Sequence, residues 1–170
     1  MSLSSEAMRL KTACDAAYVA NPTSCSNAVW DVIKGLVNED EPFRNANGLV
    51  DFMTASWKAV TLDDGFDLAN KGTVVVGGTK NTKGHGHVIV IYPGPKKPAG
   101  GYSYWYKKAN KYVLLPPKGL YPLALSTSIG ASSSLDWPGV MSCGDKTVWD
   151  PWGDDPRFAE VHFWTPKAAE

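Results

Sequence analysis

Pro22-Thr23-Ser24-Cys25-Ser26-Asn27-Ala28-Val29-Trp30-Asp31-Val32-Ile33 is a turn that delivers a cysteine to the first turn of an apolar helix. Asn21, Thr23 and Ser24 carry short oxygen-bearing side chains that can cap free backbone N–H groups, and Pro22 suits a chain about to enter a helix. Ala28, Val29, Val32, Ile33 and Leu36 fall on one stripe, which anchors the helix while its start stays near the surface. At a helix start, unpaired N–H groups and the positive end of the dipole favour a thiolate over a thiol, and the thiolate is the nucleophile. Cys25 therefore reads in two ways, as an activated nucleophile or as a buried structural cysteine, since free cysteine is among the most buried residue types. Residues about sixty positions downstream separate the two.

Outward from this stretch the first sixty residues are helical. Leu10, Ala13, Cys14, Ala17 and Tyr18 recur at helical spacing, which predicts an amphipathic helix from about residue 5 to 20, ending before Asn21-Pro22. Leu49, Phe52, Met53, Trp57 and Val60 predict a third helix, capped by Asn45 or Asn47. From Gly72 the pattern changes. Thr73-Val74-Val75-Val76, closed by Gly77-Gly78, and His87-Val88-Ile89-Val90-Ile91-Tyr92, ended by Pro93-Gly94, read as neighbouring strands covered on both faces. Gly100 to Tyr106 and Lys111 to Leu115 predict an aromatic hairpin, an insertion over about residues 95–119 or an outer hairpin of the same sheet. Leu123 to Ile129, Lys146 to Trp149 and Ala159 to Trp164 predict further short strands. Helices first and an antiparallel sheet after them make an α+β plan, and 170 residues suit a single domain over 1–170.

Acidic and basic residues balance at 17 each, so no global field draws the chain to nucleic acid or an anionic membrane. The apolar runs fall far short of the roughly 20 residues of a spanning helix, and the N-terminus lacks the apolar core of a signal peptide. The expectation is a protein with no membrane span that is not exported by a cleaved signal. Three cysteines, Cys14, Cys25 and Cys143, cannot all pair within one chain. A bond between Cys14 and Cys143 would leave Cys25 free, whereas a cytosolic compartment would keep all three reduced.

His87 opens the most apolar strand, and an imidazole there, facing the start of a cysteine-bearing helix, suits a Cys–His hydrolase. The ring would serve as base for the attack and as acid for the departing amine. A third polar group must hold it. Ser126, a lone hydroxyl in Leu123-Ala124-Leu125-Ser126-Thr127, is the candidate, with Ser128 second; the plainer alternative has Ser126 bonded to its own backbone. His85 and His87, two apart on a strand, also suit zinc if His162, Cys143, Asp150, Asp154 or Asp155 supplied a third ligand. A third reading makes His85 a loop residue and His87 a core histidine bonded to backbone. Trp149-Asp150-Pro151-Trp152-Gly153-Asp154-Asp155-Pro156 reads as an acidic turn before it reads as a calcium loop.

Five segments in order carry a resemblance: Cys25-Ser26 with its helix, Arg44 to Asp51, Gly86 to Val90, Tyr121-Pro122 through Ser128-Ile129, and Val148-Trp149 before the last strand. Through them the chain resembles the type VI secretion amidase effectors, bacterial toxins with the papain-like fold of NlpC-type cell-wall endopeptidases. The resemblance implies Cys25 as nucleophile and His87 as base in a cysteine amidase that needs no metal or cofactor. Its substrate would be the stem peptide of peptidoglycan, cut between γ-D-glutamate and meso-diaminopimelate, with the diaminopimelate–D-alanine cross-link as the alternative bond. It also implies delivery by the type VI apparatus from the donor cytoplasm to the periplasm of a target bacterium, and a small periplasmic immunity protein as partner. Two departures from the family pattern stand out: a longer Pro95 to Gly119 segment, and serine at position 126 where a cysteine is expected. A rival from another class is a non-catalytic wall- or glycan-binding module built on Tyr102, Tyr104, Trp105 and Tyr106.

Overall fold

Each of the long helices begins on a side chain that closes its first turn. In a computed structural model, which describes residues 2–106, 109–127, 135–136 and 142–167, α1 (Ser5–Ala20) is capped by Ser4 and buries Ala7, Leu10, Cys14 and Ala17. Asn21 closes it, donating from its side chain to Ala17 O at 2.9 Å and to Asp31 at 2.8 Å, which ties the turn to the next helix. That helix, α2 (Cys25–Leu36), starts on Ser24 and buries Cys25, Ala28, Val29, Val32 and Ile33 along the stripe read from the sequence. Asn45, rather than Asn47, caps α3 (Ala46–Ser56).

A fourth helix, α4 (Leu62–Asn70), has too short an apolar period to be read from the sequence. Its fully buried residues are Gly65 and Ala69, with Leu62 and Leu68 partly buried against the core. A Cβ on Gly65 would stand 3.0 Å from Ile91 and 3.1 Å from Val75, and the missing side chain lets the helix lie against the sheet. Its sequence signal is the cap, Thr61 accepting from Asp64 N at 3.1 Å.

The main sheet is antiparallel, ordered β1-β8-β2-β3-β6, from β1 (Lys58–Val60), β2 (Val76–Thr79), β3 (His87–Pro98), β6 (Leu120–Leu125) and β8 (His162–Thr165). Several boundaries differ from the expectation, first at the third helix, which stops at Ser56 and leaves Val60 to β1. The predicted Thr73–Val76 strand is displaced onto Gly77-Gly78, because a side chain at Gly77 would meet the Phe163 ring at 2.6 Å. The glycines leave room for that ring to lie across the strand instead of ending it. β3 runs on through Pro93-Gly94 to Pro98, with its register to β6 shifting between Tyr92 and Lys97. Lys146 to Trp149 only runs beside β6 through one bridge, Leu123 to Thr147, and Ser128 and Ile129 lie outside the described residues.

Alternation along β3 sends Val88, Val90 and Tyr92 to one face and His87, Ile89 and Ile91 to the other. On the first, Tyr92 donates to Asp15 of α1 at 2.7 Å, and Val50 of α3 stands 3.2 Å from where a Gly78 side chain would be. On the second lies α4. Both faces are therefore covered, and Val88 through Ile91 are fully buried. The aromatic hairpin, β4 (Tyr102–Tyr106) and β5 (Lys111–Leu115), is no part of this sheet: it forms a second one with β7 (Leu135–Asp136), ordered β5-β4-β7. A short helix α5 (Asp155–Phe158) precedes β8. The fold is α+β. No helix among the described residues is long and apolar enough to cross a membrane.

Candidate active site

Cys25 is the first helical residue of α2, 9% exposed. The preceding Ser24 hydroxyl accepts from Asn27 N at 3.2 Å and from Asn27 Nδ2 at 2.7 Å, and lies 3.3 Å from the Ser26 hydroxyl. The cap thus fixes the turn that carries the sulfur. The far end of α2 is located by Leu36 and Val37, which line one hollow with Gly72, Thr73 and Val74. α2 packs against α1 and β3, and Thr79 pairs with His87 where β3 begins.

At that end the imidazole is held from two sides. His87 Nε2 lies 2.9 Å from Ser126 Oγ, directly after β6. Trp152 meets the ring edge-on, centroids 5.5 Å apart, and donates its own Nε1–H to Thr79 Oγ1 at 3.0 Å. Burial pulls His87 from the usual histidine range to about 4, so the ring is neutral at neutral pH, with a free lone pair that holds a proton less readily than an exposed imidazole. When Nε2–H donates to Ser126, the lone pair sits on Nδ1, the nitrogen left for a reacting group. Thr127, the next residue, is 5% exposed, and its hydroxyl has no hydrogen-bond partner among the described residues.

The loop before His87 is positioned by Asn47. Its side chain donates to Asn81 O at 2.9 Å and Gly84 O at 3.2 Å, and accepts from Asn81 N at 3.0 Å. Gly86 passes beneath it so closely that a Cβ would fall 2.3 Å from Thr79 O and 2.5 Å from Asn47 Oδ1. Only glycine fits there. His85 sits in this loop, exposed, and not on the strand, which removes the alternation on which the zinc pairing of His85 with His87 rested. Among the described residues no three His, Cys, Asp or Glu side chains group as a metal site.

The remaining sequence candidates lie elsewhere. Cys14 and Cys143 are buried free thiols, so of the two alternatives the reduced one holds and no bond joins them. Burial pushes both thiols up, and the nearby Cys14 raises Cys143 further. The acidic turn is structural. Asp150 accepts from Thr147 N, Thr147 Oγ1 and Gly100 N, Asp155 accepts from the Trp149 indole, and Asp154 caps α5. Sequence reasoning missed Trp152, Thr79 and Asn47 as parts of the histidine's surroundings. Asn47 stood in plain view beside the cap, but its target 34 residues away did not.

A cavity of about 390 Å³ opens against His87, with Thr79, His85, Trp152, Arg157 and Glu160 on its walls. A larger hollow, about 630 Å³, lies against β1 and α4 and contains neither cysteine nor histidine, whereas the smaller one has His85 and His87 on its wall but not Cys25. No family model matches this chain, and no curated protein matches it.

Proposed function

We propose that this chain is a cysteine amidase of the papain-like, NlpC-like kind found among type VI secretion effectors, and that it cuts peptidoglycan stem peptides. The observation that carries the reading is the 2.9 Å contact of His87 with Ser126, with Trp152 edge-on to the ring, in a chain whose Cys25 stands at the first turn of α2.

In the reaction, His87 takes the thiol proton as Cys25 Sγ bonds to the amide carbonyl carbon. The oxyanion that forms meets the N–H of Cys25 at the helix start, a kind of donor worth about 3 kcal/mol in the transition state. Collapse breaks the C–N bond, and His87 delivers its proton to the leaving amine. Water then attacks the thioester, with His87 again as base, releasing the carboxylic acid and restoring the thiol. Ser126 keeps the ring oriented and Trp152 shields its hydrogen bond from water. The favoured bond is γ-D-glutamyl–meso-diaminopimelate.

An effector of this kind acts in the periplasm of a target cell after delivery by the type VI apparatus, and its producer needs an immunity protein. The β4–β5 ribbon suits such a partner: Leu114 and Tyr112 are 66% and 74% exposed, the apolar and aromatic character that anchors tight interfaces. The test is digestion of purified peptidoglycan fragments followed by mass spectrometry. Activity that splits the glutamyl–diaminopimelate bond and vanishes in Cys25→Ala, with an unchanged thermal melt, is the expected result. Activity retained near wild type in Cys25→Ala removes the cysteine mechanism.

A further inference from the structure

The cavity beside His87 carries two opposite charges on a single turn. Arg157 and Glu160 both line it, and Glu160 N donates to Arg157 O at 3.1 Å, so the two residues leave the backbone from adjacent points. Arg157 uses its Nε–H on Asp154 at 2.7 Å, while its two terminal nitrogens make no hydrogen bond among the described residues. Glu160 forms no ion pair among them. Trp152 also lines the cavity, an apolar wall whose indole N–H is already committed to Thr79. The remaining cation of the wall, Lys80, is engaged with Asp51 at 2.8 Å.

We infer that this cavity is a specificity pocket for an α-amino-acid terminus, an ammonium and a carboxylate on one carbon, carried at the end of a short methylene chain. The carboxylate faces the open fork of Arg157, the ammonium faces Glu160, and the methylenes lie on Trp152. A ligand with only an ammonium leaves Arg157 unanswered. One with only a carboxylate leaves Glu160 unanswered. The inference rests on the amidase reading, under which the diaminopimelate side chain ends in that zwitterion, whereas the lysine of other stem peptides ends in an ammonium alone. A cavity abutting the proposed base would then place the diaminopimelate end beside the bond to be cut.

The experiment titrates Cys25→Ala protein, by calorimetry, with L-Ala-γ-D-Glu-meso-diaminopimelate and with its L-lysine counterpart. The diaminopimelate peptide is expected to bind tighter by roughly three- to tenfold, the range that exposed to half-buried charge pairs provide. Arg157→Gln should weaken only the diaminopimelate peptide and level the two. Glu160→Gln should weaken both alike. Equal affinities before any pocket substitution, or an equal loss of both peptides in Arg157→Gln, would overturn the inference. Digestion with the intact Cys25 protein separates this failure from the larger one. Cys25-dependent hydrolysis that shows no preference between the peptides, or hydrolysis without measurable binding of either by Cys25→Ala, refutes the pocket and leaves the amidase. Absence of Cys25-dependent hydrolysis refutes both.

Discussion

The His87 end of the main sheet and the β4–β5 ribbon are built on opposite rules. Around His87, Ser126, Trp152 through Thr79, and Asn47 through the 81–84 loop each contribute a specific contact, and three different segments of chain converge on one ring and the loop that presents it. Among the described residues no strand pairs with β5 on its far side, and the ribbon meets the rest of the molecule through Leu115, clustered with Ala99 and Trp149, and through Tyr102, which donates to Asp150 and lies under Lys146. Leu114 and Tyr112 lie on its surface. Geometry is over-determined where the proposed chemistry needs an oriented imidazole. Where the surface is apolar and no described strand pairs with one edge, the structure instead suits a partner that supplies the missing contacts.

The largest effect that can break this comparison is at the ring itself. His87→Ala should lower kcat about 10³-fold, within the range of a lost general acid–base group, and Ser126→Ala only about tenfold, the worth of one orienting hydrogen bond. Steady-state kinetics on a soluble stem peptide reads both. A Ser126→Ala loss as large as that of His87→Ala would make the serine a reacting group, and no loss at all would detach it from the mechanism.

A smaller effect comes from pH. Because burial holds His87 at about 4 in the folded chain, against about 6.5 when unfolded, only the unfolded state takes up a proton between those values. The stabilising contribution is complete above pH 6.5 and is lost as pH falls toward 4. For a half-buried ring this amounts to on the order of 2 kcal/mol, or roughly 5 °C in Tm. Thermal melts from pH 7.5 to 4 should show a slope that His87→Gln flattens; parallel slopes in the two proteins would mean that the ring is not desolvated.

The smallest effect belongs to the ribbon. Leu114→Ser should leave stability within ~0.5 kcal/mol, as expected of an exposed side chain, while weakening capture of an inhibitory partner. A clear drop in Tm would show that the ribbon is packed in solution, and unchanged affinity would move the partner off this face.

Much of this architecture was legible in the sequence because it is local. The Ser24 and Asn45 caps, the Val29–Val32–Ile33 stripe and the apolar β3 run are statements about neighbours a few residues apart. The helix at Leu62–Asn70 was missed although Leu62, Phe66 and Ala69 keep a helical period, because the period is only two turns long and Gly65 interrupts it. The three-residue β1, too short to alternate, was missed as well. At the candidate site, residue type alone drew attention to Cys25, His87 and Ser126. Trp152, hidden in an acidic turn, has its meaning only through a hydrogen bond to a residue 73 positions earlier.

That span of sequence has a consequence for how the molecule forms. The contacts that hold His87 and its loop join residues 34, 37, 39 and 73 apart, and the bond from Tyr92 that seats α1 on the same strand joins residues 77 apart. Loops of this length close late, after local helices have formed. A chain that is only partly folded therefore has its cysteine helix but not yet the oriented imidazole on which the proposed reaction depends.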